Sequence, residues 1–243
     1  MSKRDDAARE RMDAPNADVA ALRRSLADIR RLNAMLGWTT FTTRAVAGYV
    51  RSRGLRDARL LDVACGSADI PRAIALWAKR ARVHVDILAT DANPTMLAAA
   101  REVCAGIETI RIEAQDALAL PYAQGSFDIA LCTLALHHFA PGDAARLLGE
   151  LARVGRQVFV FDLVRSRPAY VGAVAITRMA RMDPMTRYDG PLSVRRAYTA
   201  AELRDMAARA GLVEPRVRVA IPFRLSLSAG GATAPASQRE AAS

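Results

Sequence analysis

The stretch RLLDVACGSADIP, residues 59–71, decides how this chain folds. Leu60, Leu61 and Val63 form a short apolar run, Cys65-Gly66-Ser67 interrupts it, and residues 68–79 carry the spacing of an amphipathic helix. The order is strand, tight turn, helix. A glycine at the turn lets the backbone approach a ligand with no Cβ in the way. The helix that follows opens with unpaired N–H groups at its positive end. In an open α/β sheet, that crevice is where ligands bind.

Downstream the same rhythm continues. VHVDILAT, residues 83–90, reads as a second strand ending at Asp91, and Asn93-Pro94 starts a helix to about residue 104, because proline is tolerated in a first turn. Residues 108–114 alternate as a third strand leading to Gln115-Asp116-Ala117. FDIALC (127–132) is a fourth strand, 144–154 a helix, and QVFVFDL (157–163) a fifth strand. This alternation predicts an α/β fold built on a doubly wound, mainly parallel sheet. Residues 165–198 break the rhythm with a helix and a loop too long for a plain connection, and are expected to form a lid. Thr199 with Glu202 three positions later reads as a capping box opening a helix to residue 211. Two short strands, 213–220 and 222–228, complete a sheet of seven.

Upstream, Val19, Leu22, Leu26, Ile29, Leu32 and Leu36 repeat at helical spacing over residues 17–36, and a second helix over 42–53 stops at Gly54. Residues 17–54 are therefore expected to cap the ligand edge of a domain spanning 55–229. The polar segment 1–16 and the small-residue tail 230–243 are expected not to pack.

A length of 243 residues suits one such domain better than two separate cores. No apolar run approaches the roughly 20 residues that cross a bilayer. The first residues carry charges where an export signal has an apolar core, so a cytoplasmic location is expected. Cys65, Cys104 and Cys132 lack metal-ligand spacing, and no metal is expected. The net charge of +10 is almost all arginine, with Lys3 and Lys79 the only lysines. Such a balance suits nucleic acid, but the chain has no aromatic-studded basic stretch, so no nucleic-acid partner is expected. The expected assembly is a monomer or homodimer.

Asp62, Asp91 and Asp116 fall at or just past the ends of three consecutive strands, hence on one rim. Any one of them alone suits a turn or helix cap. Together they suit a nucleoside: Asp91 can accept both ribose hydroxyls, and Asp116 can accept from an exocyclic amine. Ala92, Met96 and Leu118 can wall a flat ring. An acidic rim also tolerates a cationic sulfur on that nucleoside.

The segments LLDVACGSAD, TDANPTML, AQDALALPYAQGSFDIALCTLALHHF and AYTAAELRDMAARAGL resemble the successive motifs of class I S-adenosylmethionine-dependent methyltransferases, over residues 59–228. The likeness is closest to the small-molecule branch that includes quinone-biosynthesis and natural-product enzymes. It implies a Rossmann-like fold and S-adenosylmethionine as cofactor. It also implies a cofactor-binding set of Asp62, Ala64, Cys65, Gly66, Asp91, Ala92, Met96, Asp116, Ala117 and Thr133. The family's glycine-rich pattern carries alanine here at Ala64 and Ala68, which leaves Gly66 to face the methionine moiety.

Methyl transfer is an in-line displacement at a sulfonium, so the protein aligns the acceptor and, for a hydroxyl, removes its proton. His137 and His138 follow the fourth strand at the same edge. Because adjacent side chains usually point apart, one of them, by preference His137, is expected to be the base, with Asp162 orienting it. Met179, Met182, Met185, Arg195, Arg196 and Tyr198 of the insertion are expected to meet a small-molecule acceptor. The implied reaction is O-methylation of an aromatic or polyketide-like molecule of secondary metabolism. The alternatives are C-methylation of a quinone-like ring, an RNA methyltransferase, and a cofactor binder that transfers nothing. Cys132-Thr133-Leu134-Ala135 lacks the N/D-P-P-Y/F segment of enzymes that methylate base amines.

Overall fold

Residues 3–14 and 16–232 are described by a computed structural model. The strands are β1 (Asp57–Val63), β2 (His84–Asp91), β3 (Ile110–Ala114), β4 (Phe127–Thr133), β5 (Gly155–Leu163), β6 (Val213–Ala220) and β7 (Arg224–Gly230). They form one sheet in the order β3-β2-β1-β4-β5-β7-β6. The first five run parallel, and β7 pairs antiparallel with both β5 and β6. This is the doubly wound, Rossmann-like architecture expected. Its strand order reverses between β1 and β4, and a crevice opens at that switch point.

Eight longer helices flank the sheet: α1 (Val19–Met35), α2 (Trp38–Ser52), α3 (Asp69–Ala81), α4 (Pro94–Val103), α5 (Pro141–Val154), α6 (Arg167–Met179), α7 (Pro184–Arg196) and α8 (Ala200–Arg209). Successive residues of a strand point to opposite faces, and β1 shows it. Leu60 packs with Val46, Val50 and Ile74 of α2 and α3, while Leu61 joins Leu147, Leu151 and Leu203 of α5 and α8. Each of these leucines is fully buried, which contributes about 1.5–3 kcal/mol apiece.

Local chemistry sets the helix starts. Asn93 Oδ1 accepts from the N–H groups of Thr95 at 2.9 Å and Met96 at 3.4 Å, with Pro94 in the first turn. Thr199 and Glu202 form the anticipated capping box. The insertion after β5 differs from expectation, because it holds two helices and not one. Gly190 and Pro191 lie inside α7, where low helix propensity hid the second helix from view. Tertiary contacts hold it instead, among them Thr186 Oγ1 donating to Ser25 Oγ of α1 at 2.9 Å.

The segment expected not to pack does pack over residues 3–14. Arg4, Glu10 and Met12 are all buried. The Arg4 guanidinium donates to the carbonyls of His137 and Phe139, each at 2.8 Å, and lies over the Tyr198 ring. Asp189 of α7 accepts from the backbone N–H groups of Arg11 at 2.8 Å and Met12 at 3.1 Å. A polar strap orders here because its charges meet fixed carbonyls and carboxylates, a mechanism that hydropathy does not register. Of the expected C-terminal tail, Gly231 and Ala232 bond back to Arg156 and Ala152, and residues 233–243 lie outside the described part. Among the described residues no helix is long and apolar enough to cross a membrane.

At the start of β5 an ideal Cβ on Gly155 would lie 2.5 Å from the Ala130 Cβ and 3.0 Å from the Ala130 backbone nitrogen. Gly155→Ala should therefore force β5 away from β4 and cost about 2 kcal/mol, read as a lower urea midpoint with an unchanged slope.

Candidate active site

A cavity of about 740 Å³ opens over the carboxyl edge of the parallel strands, within the size range of small-molecule sites. Its floor is the turn after β1. Ala64, Gly66 and Ala68 all take left-handed backbone angles, with φ of 55°, 55° and 57°. For an L-residue that conformation costs about 1–2 kcal/mol, so the turn keeps a shape made for glycine while carrying alanine at two of its three positions. A Cβ on Gly66 would meet nothing within 4 Å, which makes this the point where the backbone lies open to a ligand.

Asp91 fixes the turn. Its Oδ2 accepts from the Gly66 N–H and its Oδ1 from the Asn93 N–H, both at 2.9 Å. Burial raises its pKa while these two bonds pull the other way, and each oxygen keeps a second lone pair. Asp62 is 2% exposed, and its Oδ1 has no hydrogen-bond partner among the described residues. Burial, helped by the charges of Asp69 and Asp91, pushes its carboxyl well above the usual range. Thr133 Oγ1 is likewise buried without a partner. Such orphaned atoms cost about 1–3 kcal/mol each, and both residues line the cavity, where a bound cation or donor would satisfy them.

Every residue of the expected cofactor set lines this cavity: Asp62, Ala64, Cys65, Gly66, Asp91, Ala92, Met96, Asp116, Ala117 and Thr133. Asp116 is exposed and its Oδ1 accepts from the Leu118 N–H at 2.8 Å, but Leu118 itself is not on the wall. Burial pushes the Cys65 thiol well up, which removes it as a nucleophile. The expected acceptor contacts need correction. None of Met179, Met182, Met185, Arg195, Arg196 and Tyr198 lines the cavity. Met179 is 83% exposed, Met182 and Met185 are core, and Arg196 spends its guanidinium on the carbonyls of Ala8, His137 and His138. Ala169, Gly172, Ala173 and Ile176 of α6 make that wall instead, facing Ile29, Leu32 and Leu36 at the end of α1.

His137 and His138 sit in a 3-10 turn, Leu136–His138, directly after β4. Asp162 of β5 accepts from both the His137 backbone N–H at 2.9 Å and its ring Nδ1 at 2.7 Å. A carboxylate at that distance places the proton on Nδ1 and leaves Nε2 as the free nitrogen of the neutral ring. The two imidazoles do not point apart. Their centroids are 4.3 Å apart at 34°, because Arg4 and Arg196 hold the turn's carbonyls and carboxylates grip both rings. His138 Nδ1 lies 2.8 Å from Asp13 Oδ2. Glu10, 2% exposed, comes within 3.7 Å of His137 Nε2 and 3.9 Å of His138 Nε2. The sequence offered no sign of Glu10 or Asp13, which arrive from the strap more than a hundred residues away.

Residues 60–157 match the family described as Methyltransferase domain. Over that stretch the chain resembles a methyltransferase domain. A demethylmenaquinone methyltransferase of Thermus thermophilus is 39% identical over 98 residues, which are 40% of this chain and 41% of that protein. One from a Parafrankia strain is 34% identical over 151 residues, 55% of this chain and 54% of that protein. The chain thus matches about half or less of these relatives' length. The crystal structure of an S-adenosylmethionine-dependent methyltransferase from Aquifex aeolicus superposes with a TM-score of 0.55 at 15% identity, covering 75% of this chain and 87% of that one. That likeness is one of fold, the doubly wound sheet described above.

Burial opposes the charge on His138, but Glu10 and the hydrogen bond and charge of Asp13 outweigh it and raise its pKa to about 9. A group whose pKa rises on folding stabilises fully below its unfolded value, about 6.5, and loses that contribution as pH climbs through the folded value. Chemical denaturation from pH 6 to 10 should show stability falling between about 6.5 and 9, by at most about 1.4 kcal/mol per pH unit, and His138→Gln should flatten that fall.

Proposed function

We propose that this chain transfers a methyl group from S-adenosylmethionine to a small aromatic or polyketide-like hydroxyl, with His137 as the base. The carrying observation is the His137–Asp162 pair: a buried imidazole on the cavity wall whose Nδ1 is held by a carboxylate at 2.7 Å. The donor fits the other half of the cavity on three grounds. The orphaned Asp62 carboxylate suits its ammonium group, Gly66 leaves room at the turn, and the Asp91 oxygens retain lone pairs for a diol. When bound, the donor supplies an electrophilic methyl on a cationic sulfur.

The chain's own residues then have two tasks. The apolar walls from α1 and α6 orient the acceptor and exclude water. As the acceptor oxygen attacks, its proton passes to His137 Nε2, and Asp162 stabilises the resulting imidazolium while holding the ring's orientation. A hydroxyl needs about 2.8 Å to Nε2, and Glu10 already stands 3.7 Å away, so the acceptor enters with the strap displaced.

A second reading, C-methylation of a quinone-like ring, is favoured by the names of the relatives, which are demethylmenaquinone methyltransferases. It uses the same base, because an electron-rich ring carbon attacks best from a phenolate. Isotopically labelled donor, a panel of phenols and quinols, and fragmentation of the product separate the two by whether the label sits on oxygen or carbon.

His137→Gln and Asp162→Asn should each lower turnover by about 10²-fold or more with donor affinity unchanged, whereas Asp62→Asn should weaken donor binding about tenfold. Unchanged turnover in both former variants would remove the base assignment. Because Asp62 must ionise to meet a cation, donor affinity in the wild type should rise with pH, and Asp62→Asn should abolish that dependence.

A further inference from the structure

The arrangement of the two histidines holds more than a base requires. Each ring has its Nδ1 held by a separate carboxylate, His137 by Asp162 at 2.7 Å and His138 by Asp13 at 2.8 Å. That leaves both Nε2 atoms turned toward one further carboxylate, Glu10, at 3.7 and 3.9 Å. These separations are too long for hydrogen bonds. They suit a cation held between the groups, since metal–nitrogen and metal–oxygen bonds of about 2.0–2.1 Å span up to about 4.1 Å. One ligand atom from each of Glu10, His137 and His138 lies within 4.8 Å of the other two.

We infer that Glu10, His137 and His138 form a site for a divalent transition-metal ion of the zinc class. Two imidazoles and one carboxylate are the borderline donors that such ions take, and outer carboxylates on the opposite ring nitrogens orient histidine ligands in this way. The three residues line the cavity, so the ion keeps an open coordination position toward its free space. The Ser193 hydroxyl, donating to Glu10 at 3.0 Å, holds that carboxylate beside the two rings. The ion is bound only when the strap is docked, because Glu10 belongs to the strap. Resting on the reading of His137 as the base, the ion occupies the lone pair that must accept the acceptor's proton, so the loaded protein transfers no methyl group.

The test uses the full chain, freed of metal by a chelator and titrated with Co²⁺ as a visible probe and with Zn²⁺ in competition. One equivalent of Co²⁺ should bind with the visible absorption of a low-coordinate nitrogen and oxygen site, and Zn²⁺ should displace it. Asp13→Asn should weaken binding about tenfold, and Glu10→Gln by more than that. Asp116→Asn, at the far end of the cavity, should leave binding unchanged. Circular dichroism and the metal-free melting temperature confirm that each variant is folded. Zn²⁺ should raise the melting temperature of the wild type and not of Glu10→Gln. Equal Co²⁺ affinity and absorption in wild type and folded Glu10→Gln would overturn the site. Binding that depends on Glu10 but raises turnover would keep the site and overturn the base reading instead, whereas inhibition reversed by chelator supports both.

Discussion

The ligand edge depends on the pairing of β1 with β2 on one side and β4 on the other. Val63 is in register with Thr90, and Asp62 with Leu131, so three parallel strands end nearly level. The chain winds outward in opposite directions from that pair, and no helix can cover the gap between the two windings. Everything with chemical character collects there. Asp62 is the next-to-last residue of β1, Asp91 ends β2, Thr133 ends β4, and Asp162 lies one strand further, behind His137. Leucine and valine in the buried strands set this alignment, and the polar groups are carried to the rim by it.

The two halves of the cavity solve charge differently. At the turn after β1, Asp62, Asp69 and Asp91 crowd together, and burial holds all three carboxyls above their ordinary values. Asn33 of α1 relieves Asp69 with a hydrogen bond at 3.0 Å, but Asp62 keeps an unmet oxygen. That half is an acid-rich hollow suited to a positive guest. Around the histidines, acids and bases are already paired, and Arg4 and Arg196 brace the backbone without entering the cavity. The first half is completed by a ligand, the second by the protein's own strap.

What the sequence made legible was local. The run from Leu60 to Val63, the Asn93-Pro94 start and the Thr199–Glu202 box each need only neighbouring residues, and the structure forms them as read. The shared rim of Asp62, Asp91 and Asp116 followed because consecutive parallel strands fix which edge their ends share. The other half of the cavity was not legible. Its wall uses Ala169, Gly172 and Ala173, small residues with no distinctive pattern, while the conspicuous methionines went into the core or out to solvent. The adjacent, tilted histidine rings depend on a 3-10 turn that arginines at positions 4 and 196 hold, and α7 forms through Gly190-Pro191 by packing against propensity. Residues 3–14 were read as polar and loose, yet their charges find partners in α7 and after β4.

The strap also fixes an order of assembly. Arg4, Glu10 and Asp13 are made first, but Arg196 and Asp189, to which the strap attaches, are made nearly two hundred residues later. During synthesis the strap has nothing to hold, so the histidine half of the cavity takes shape only after α7 has left the ribosome.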